Sequence, residues 1–340
     1  MAGIAPSYTP HNEGDFLYPS FTQRLLKLCP QMGIQIQVVD PRHGYLLLLQ
    51  HKGKRRYLLA DTHPLNPHLS SRLAKDKAYT YIVLEKEKLP IPRGSYFFLP
   101  GRYQKQDYSH RKGPKEALEF AQMLGFPLVA KPNSLSMGKW VQKISQLSEL
   151  RDYIRQIELE SQEKIFLLQE FLPGEEKRIV LLDGNVELVL RKQPLELKGD
   201  GQKSIQNLFE EELQKRGLEK EKYLPFLNEA LSREKLQPSD TLPKEKRLSL
   251  LDVGGNLHRG AIARVEDTLQ EDSLKALCQE AVRIFQLRYA AIDLRQNSKG
   301  QWKILEINSN PGLEKFARSS PAAKRIVEQI YRKILKKFLE

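Results

Sequence analysis

The chain has 340 residues, 40% hydrophobic and 29% charged, the composition of an ordinary folded protein with room for two or three packed units. Its net charge of +13 is scattered over residues 51–56, 110–112 and 332–337 rather than gathered on one element with stacking aromatics, which disfavours nucleic acid. No apolar run is long enough to span a bilayer, and two cysteines without metal-ligand spacing argue against a disulfide framework and for a reducing cytoplasm.

Residues 1–68 read as a small first unit, with a helix over 22–28 and strands over 34–39, 45–50 and 56–60 separated by glycine and charged turns. It holds no reactive constellation, so a structural or substrate-shaping role is expected. Residues 69–340 form the second region. A helix begins near Ser71 and runs towards Leu89-Pro-Ile-Pro92, where the prolines end it and start an extended segment. Pro114 opens a helix that Gly125 stops, and residues 126–132 make a strand ending at Lys131. Leu147, Leu150, Ile154 and Ile157 mark one face of another helix, and 165–171 is a buried strand. Asp183-Gly-Asn185 between two apolar runs signals a hairpin. Residues 198–250 look like a lysine- and glutamate-rich insertion with two helical stretches. Helices follow over 273–285 and from Ser320-Pro321, whose inner side carries Ile326, Val327, Ile330, Ile334 and Phe338.

The richest chemistry lies between those last two helices. Residues 289–296 and 302–307 read as the arms of a hairpin. If its loop is residues 298–301, Asp293 stands opposite Glu306, with Asn308 on the same face. Two carboxylates placed across a ladder repel, so they call for a cation, and three hard oxygens suit Mg²⁺, or Mn²⁺, held together with a nucleotide. A solvated hairpin edge with scattered acids is the plainer alternative. Neither GxxxxGK[ST] nor GxGxxG after a strand occurs, so phosphate must be met by other means. Lys77, Lys131 and the small-residue loop containing Ser136 and Gly138 could supply point charges and backbone donors.

In order along the chain, Lys77 with Thr80, Val129-Ala-Lys131-Pro, residues 169–176, Asp293, Glu306, Asn308 and Asn310-Pro-Gly312 resemble the ATP-grasp carboxylate–amine ligases over residues 69–318. The resemblance implies an α+β ATP-grasp fold: two α+β lobes sandwiching ATP, preceded here by the small N-terminal α/β unit. It implies that Gln169, Glu170 and Leu172 meet the adenine edge and that Glu176 holds the ribose. Asp293, Glu306 and Asn308 fall on the family's metal positions. A lid over about 114–172 would close through the 169–172 hinge.

Gly199-Asp-Gly201 and the insertion are similar to cyanophycin synthetase and to the ATP-grasp part of bifunctional glutathione synthetases. Asn256-Leu-His-Arg259-Gly260 is similar to the signature of the ribosomal-protein glutamate ligases. The chain departs from these relatives in its single-glycine phosphate loop, and it lacks their additional domains.

The implied reaction joins a carboxylate to an amine through an acylphosphate, releasing ADP and phosphate. Arg191 and Arg259, the latter near Asn256, are expected to bind the transferred phosphate and the oxyanion, with Arg178 and Arg295 as further arginines. Expected partners are amino acids or short peptides, with a protein terminus as the alternative acceptor. A non-catalytic nucleotide- or nucleic-acid-binding protein is the competing class, and a homo-oligomer stays open.

Overall fold

The computed structural model describes residues 18–59, 64–99, 111–136, 138–250, 260–266 and 271–340. In α1 (Ser20–Gln31) one face buries Leu25, Leu28 and Cys29. It covers β1 (Gln35–Val38), β2 (Leu46–His51) and β3 (Lys54–Leu59), an antiparallel sheet in that order. Alternate residues Leu47 and Leu49 point into a core with Leu25, Cys29 and Leu58, and Leu335 and Leu339 complete it from the far end of the chain. Arg24 reinforces this join by donating to the Glu314 carboxylate at 2.9 and 2.7 Å.

The helix expected from residue 71 is two helices, α2 (His68–Lys75) and α3 (Lys77–Lys86). Asp76 breaks it, because its backbone is extended and its carboxylate caps α3 by accepting the Tyr79 N–H at 3.0 Å. The segment after the paired prolines contains β4 (Gly94–Phe98).

The chain continues through α4 (Pro114–Leu124), β5 (Leu128–Pro132), β6 (Gln142–Ile144), α5 (Leu147–Glu160) and β7 (Ile165–Glu170). Together with β4 these strands form an antiparallel sheet ordered β4-β7-β5-β6. Ala117 of α4 and Leu150 and Ile154 of α5 pack onto Phe97, Leu128 and Phe166 of that sheet.

A second, five-stranded antiparallel sheet is built from β8 (Glu176–Leu182) and β9 (Asn185–Gln193) with three later strands. The β8–β9 turn is made by Asp183 and Gly184 at φ of 48° and 75°, the left-handed geometry that a two-residue hairpin loop requires. The insertion follows as β10 (Glu196–Lys198), α6 (Ile205–Arg216), α7 (Lys220–Glu234) and β11 (Arg247–Ser249). Its core includes Ile205, Phe209, Tyr223, Leu227 and Leu248. The sheet resumes with β12 (Ile262–Glu266), passes α8 (Asp272–Ile284), and ends with β13 (Tyr289–Gln296) and β14 (Trp302–Asn308). Its order is β12-β9-β8-β13-β14.

Residue parity decides what each face of this sheet meets. Val180, Leu182, Leu188 and Leu190 join a cluster with α9 (Glu314–Ala317) and α10 (Pro321–Leu339). Ile179, Leu181 and Val189 point the other way, into α8. Ser320 caps α10 through the Ala323 N–H at 3.0 Å. The helix buries Tyr331 and Leu335 besides the expected Val327, Ile330 and Ile334. The result is two helix-backed antiparallel sheets, an α+β architecture.

Candidate active site

Asp293 pairs with Glu306 across β13 and β14, reached by a different route from the one the sequence suggests. Gln296 pairs with Trp302, so five residues lie between the arms, and a bulge between Asp293 and Leu294 restores the register. Leu305 is the extra residue. Its carbonyl accepts a hydrogen bond from the Lys131 ammonium at 3.2 Å, a link from β5 of the first sheet to β14 of the second.

The Asp293 carboxylate is buried and saturated with donors. Arg178 donates to both of its oxygens at 2.9 and 2.6 Å, Lys192 lies at 2.8 Å, and the Asn308 amide nitrogen donates at 3.1 Å. Burial opposes its ionisation, but Arg178 and Lys192 outweigh burial and hold the carboxyl far below the usual carboxylate range. Lys192 also meets Glu176 at 2.7 Å; burial disfavours its charge, yet Asp293 and Glu176 raise its pKa. The Arg178 guanidinium is likewise raised by Asp293, against the cost of burial.

Glu306 makes no hydrogen bond or ion pair among the described residues, and its charge favours the protonated forms of both Lys131 and Arg178. The donor set fits a hard divalent cation: an ionised Asp293, an uncommitted Glu306 and the Asn308 amide share one face. Among the described residues no three His, Cys, Asp or Glu side chains group as a metal site. Asn308, water and phosphate oxygens would therefore complete the shell, and Asp293 would have to release a cationic partner.

Lys77, Thr80, Lys131, Gln169, Leu305 and Glu306 line a narrow cleft between the sheets, with a volume of about 10 Å³. That is space for about one water-sized sphere, so the cleft as it stands is closed to anything larger. Burial pushes the Lys131 amine down to about 8, Lys77 adds to the effect, and Glu306 and Asp293 oppose it. Lys77 donates to the carbonyls of Asn133 and Leu135 at 3.3 and 2.9 Å, clasping the loop after β5. Asn133 in turn accepts the Ala78 N–H at 2.8 Å. The buried Glu163 accepts from the Ser134 hydroxyl at 2.5 Å and its N–H at 3.0 Å. Ser136 is exposed on this loop, and Gly138 turns it at a φ of 71°.

The hinge is tightly seated. Gln169 is buried opposite Gly94 and Val129, and the Glu170 carboxylate accepts from the Arg93 N–H and guanidinium, both at 3.0 Å. The Glu170 N–H is taken by the Arg93 carbonyl. Leu172 is buried, and its backbone N–H and carbonyl have no partner among the described residues. Gly174 lies against β13, where an added Cβ would sit 2.6 Å from the Gln296 Cβ and 2.8 Å from its carbonyl oxygen. Arg295 braces this turn by donating to the Gly174 carbonyl at 3.2 Å and stacking over Phe171.

Arg191 does not join Asp293. It pairs with Glu175 on the opposite face of β9, so its neighbour Lys192 is the cation that reaches the carboxylate. Side-chain alternation carries that signal, since Leu188, Leu190 and Lys192 share a parity. Asn256, His258 and Arg259 lie outside the described residues.

Comparison with known proteins agrees with this architecture. The RimK-like ATP-grasp domain family matches residues 247–330. The Glutathione biosynthesis bifunctional protein GshAB of Listeria monocytogenes serotype 4b is 24% identical over 305 residues, covering 86% of this chain and 38% of the relative. The protein of the same name from Streptococcus mutans is 25% identical over 311 residues, covering 86% and 39%. The crystal structure of a bifunctional glutathione synthetase from Pasteurella multocida superposes with a TM-score of 0.54 at 17% identity, covering 92% of this chain and 43% of that one. The chain thus spans about two fifths of the length of these relatives. The paired antiparallel sheets, the cleft between them and the superposition on the bifunctional glutathione synthetase together mean that the chain has the ATP-grasp fold.

Proposed function

We propose that the protein is an ATP-dependent carboxylate–amine ligase that forms a peptide or amide bond on an amino acid or short peptide. The observation that carries this reading is the Asp293–Glu306 pair, standing across β13–β14 from each other within reach of the Lys131 charge. ATP would lie between the sheets, with Gln169, Glu170 and Leu172 along the base edge, Glu176 at the ribose, and Lys77, Lys131, Ser136 and Gly138 towards the phosphates. The Leu172 backbone, without a partner among the described residues, suits an adenine edge, because buried amide groups otherwise find partners.

Asp293, Glu306 and Asn308 would hold Mg²⁺, or Mn²⁺. When bound, the ion neutralises charge on the transferring phosphoryl group. Arg178 and Lys192 fix Asp293 in its ionised form and are placed to turn towards phosphate as that carboxylate changes partner. The substrate carboxylate attacks the γ-phosphate, ADP leaves, and the amine then displaces phosphate from the acyl carbon. Arg191, Arg259 and Asn256 remain candidates for the phosphate and oxyanion contacts. Closure of the β4–β7 lobe would keep water from the acylphosphate. Use of ATP and the two buried free cysteines fit a cytoplasmic enzyme. Among the described residues, no helix is long and apolar enough to cross a membrane.

The test is a phosphate-release screen over amino acids and dipeptides, with mass spectrometry on each active pair. An ATP-dependent condensation product is expected, and ADP release without any coupled product across the panel would sink the ligase reading. Glu306→Ala is expected to lower product formation by about a thousandfold or more while leaving the melting temperature nearly unchanged. Retained turnover at saturating Mg²⁺ would remove Glu306 from the metal site.

A further inference from the structure

Where the pairing of β13 with β14 ends, a side chain from outside the sheet takes it over. The last paired residues are Ala291 and Asn308. Beyond them the carbonyls of Tyr289 and Ser309 are both acceptors and cannot bond one another. The Asn66 amide nitrogen donates to both, at 2.6 and 2.7 Å. Its amide oxygen accepts the backbone N–H groups of Arg288 and Tyr289, each at 2.9 Å. With Tyr289 it exchanges bonds in both directions, as a residue paired across an antiparallel ladder would. An asparagine amide offers two donor hydrogens and two acceptor lone pairs, and here all four are used.

The neighbours of Asn66 hold it in place. Leu65 is buried in the cluster that contains Leu182, Tyr289 and Leu313. Pro67 favours an extended backbone at Asn66 and stands at the N-cap of α2. From α2 itself, the Ser71 carbonyl accepts the Ser309 hydroxyl at 3.2 Å. Two ties from residues 66–71 therefore converge on Ser309, between Asn308 and Asn310.

That convergence bears on the metal set. The Asn308 side chain donates its amide nitrogen to Asp293 at 3.1 Å. A cation would need the amide oxygen instead, so the side chain must turn while its backbone stays still. The backbone is the part that the Ser309 ties anchor. Partners one step behind a metal ligand set its orientation and commonly change metal affinity by about ten- to a hundredfold when removed.

We infer that Asn66 is a positioning residue of the metal site. By joining the start of β13 to the end of β14, it fixes the Asn308 backbone so that the amide can turn its oxygen towards a cation shared with Asp293 and Glu306. The inference rests on the metal set of the ligase reading and adds to it a residue that acts only through the hairpin backbone. It gives the segment linking the first unit to the sheets a part in the chemistry.

The test is Mn²⁺ binding to the full chain in the presence of a non-hydrolysable ATP analogue, read by electron paramagnetic resonance, in Asn66→Asp and Leu65→Ala. Asn66→Asp keeps the shape but sets a carboxylate oxygen against two carbonyls, and it should weaken Mn²⁺ binding about tenfold or more. Leu65→Ala hollows the same cluster one residue away and removes none of the four hydrogen bonds. It should lower the melting temperature and leave Mn²⁺ affinity unaltered. Unaltered affinity in Asn66→Asp would overturn the inference. So would equal weakening in both variants, since the effect would then be one of packing. Should Asn66→Asp fail to fold, Ser309→Ala decides: losing the tie to Ser71 should weaken Mn²⁺ about threefold, the worth of one hydrogen bond, and unaltered affinity would overturn the inference. Absence of Mn²⁺ binding to the unaltered chain, or unaltered affinity in Glu306→Ala, would instead overturn the metal set beneath it.

Discussion

Lys131 is a buried amine at the seam between two sheets, and its pKa of about 8 makes its charge conditional on pH. Below that value the ammonium is the prevailing form; above it the amine goes neutral, because burial disfavours the charge more than Glu306 and Asp293 favour it. A bound triphosphate adds negative charge and raises the pKa, so nucleotide binding above about pH 8 must take up a proton. Affinity for the Mg²⁺-bound ATP analogue should therefore weaken as pH rises through 8. Calorimetry at about pH 8.5 in buffers of different ionisation enthalpy should detect a sizeable fraction of a proton absorbed. Lys131→Arg keeps a permanent charge and should abolish the uptake. Unaltered uptake in that variant would assign the proton elsewhere. The place of Lys131 at a strand end before a small-residue loop was legible in the sequence. The contact of Lys192 with Asp293 was not, because Arg191 beside it drew the chemical argument, and only strand parity separates the two.

The loop after β5 is anchored at three points. Lys77 holds its carbonyls, Asn133 holds the N-terminus of α3, and Glu163 holds Ser134. Removing the buried carboxylate by Glu163→Ala should free the Ser134 N–H and hydroxyl, raise hydrogen exchange over residues 134–140, and weaken ATP-analogue affinity by about tenfold. Faster exchange with unaltered affinity would show that the loop does not meet phosphate. At this scale the sequence was informative wherever order is local. The Asp183–Gly184 turn, the stop at Gly125 and the cap at Ser320 follow from residue type alone. The split between α2 and α3 was missed because Asp76 sits inside an otherwise helical pattern. β12 was missed because its Ile262-Ala-Arg-Val-Glu266 is short, charged and half-exposed.

Across the whole molecule, the N-terminal sheet and α10 share one core. Leu335 is 2% exposed and packs among side chains from α1, β2 and β3. Leu335→Ala should cost about 2–5 kcal/mol in urea unfolding, and amide protection should fall in residues 46–51 as well as in α10. Loss of protection confined to α10 would contradict a shared core. This pairing joins residues almost three hundred positions apart, which is why periodicity and turn chemistry gave no hint of it. The same holds for Asn66, whose hydrogen-bond partners lie more than two hundred positions away.

The core that Leu47 and Leu335 share also sets an order of events during synthesis. Residues 20–59 leave the ribosome long before residue 335 exists, and the cost of closing so long a loop must be met before that contact can form. Until then α1 alone covers Leu47, Leu49 and Leu58, and the side of the core that Leu335 and Leu339 later fill stays open. The terminal helix shuts that core when it arrives.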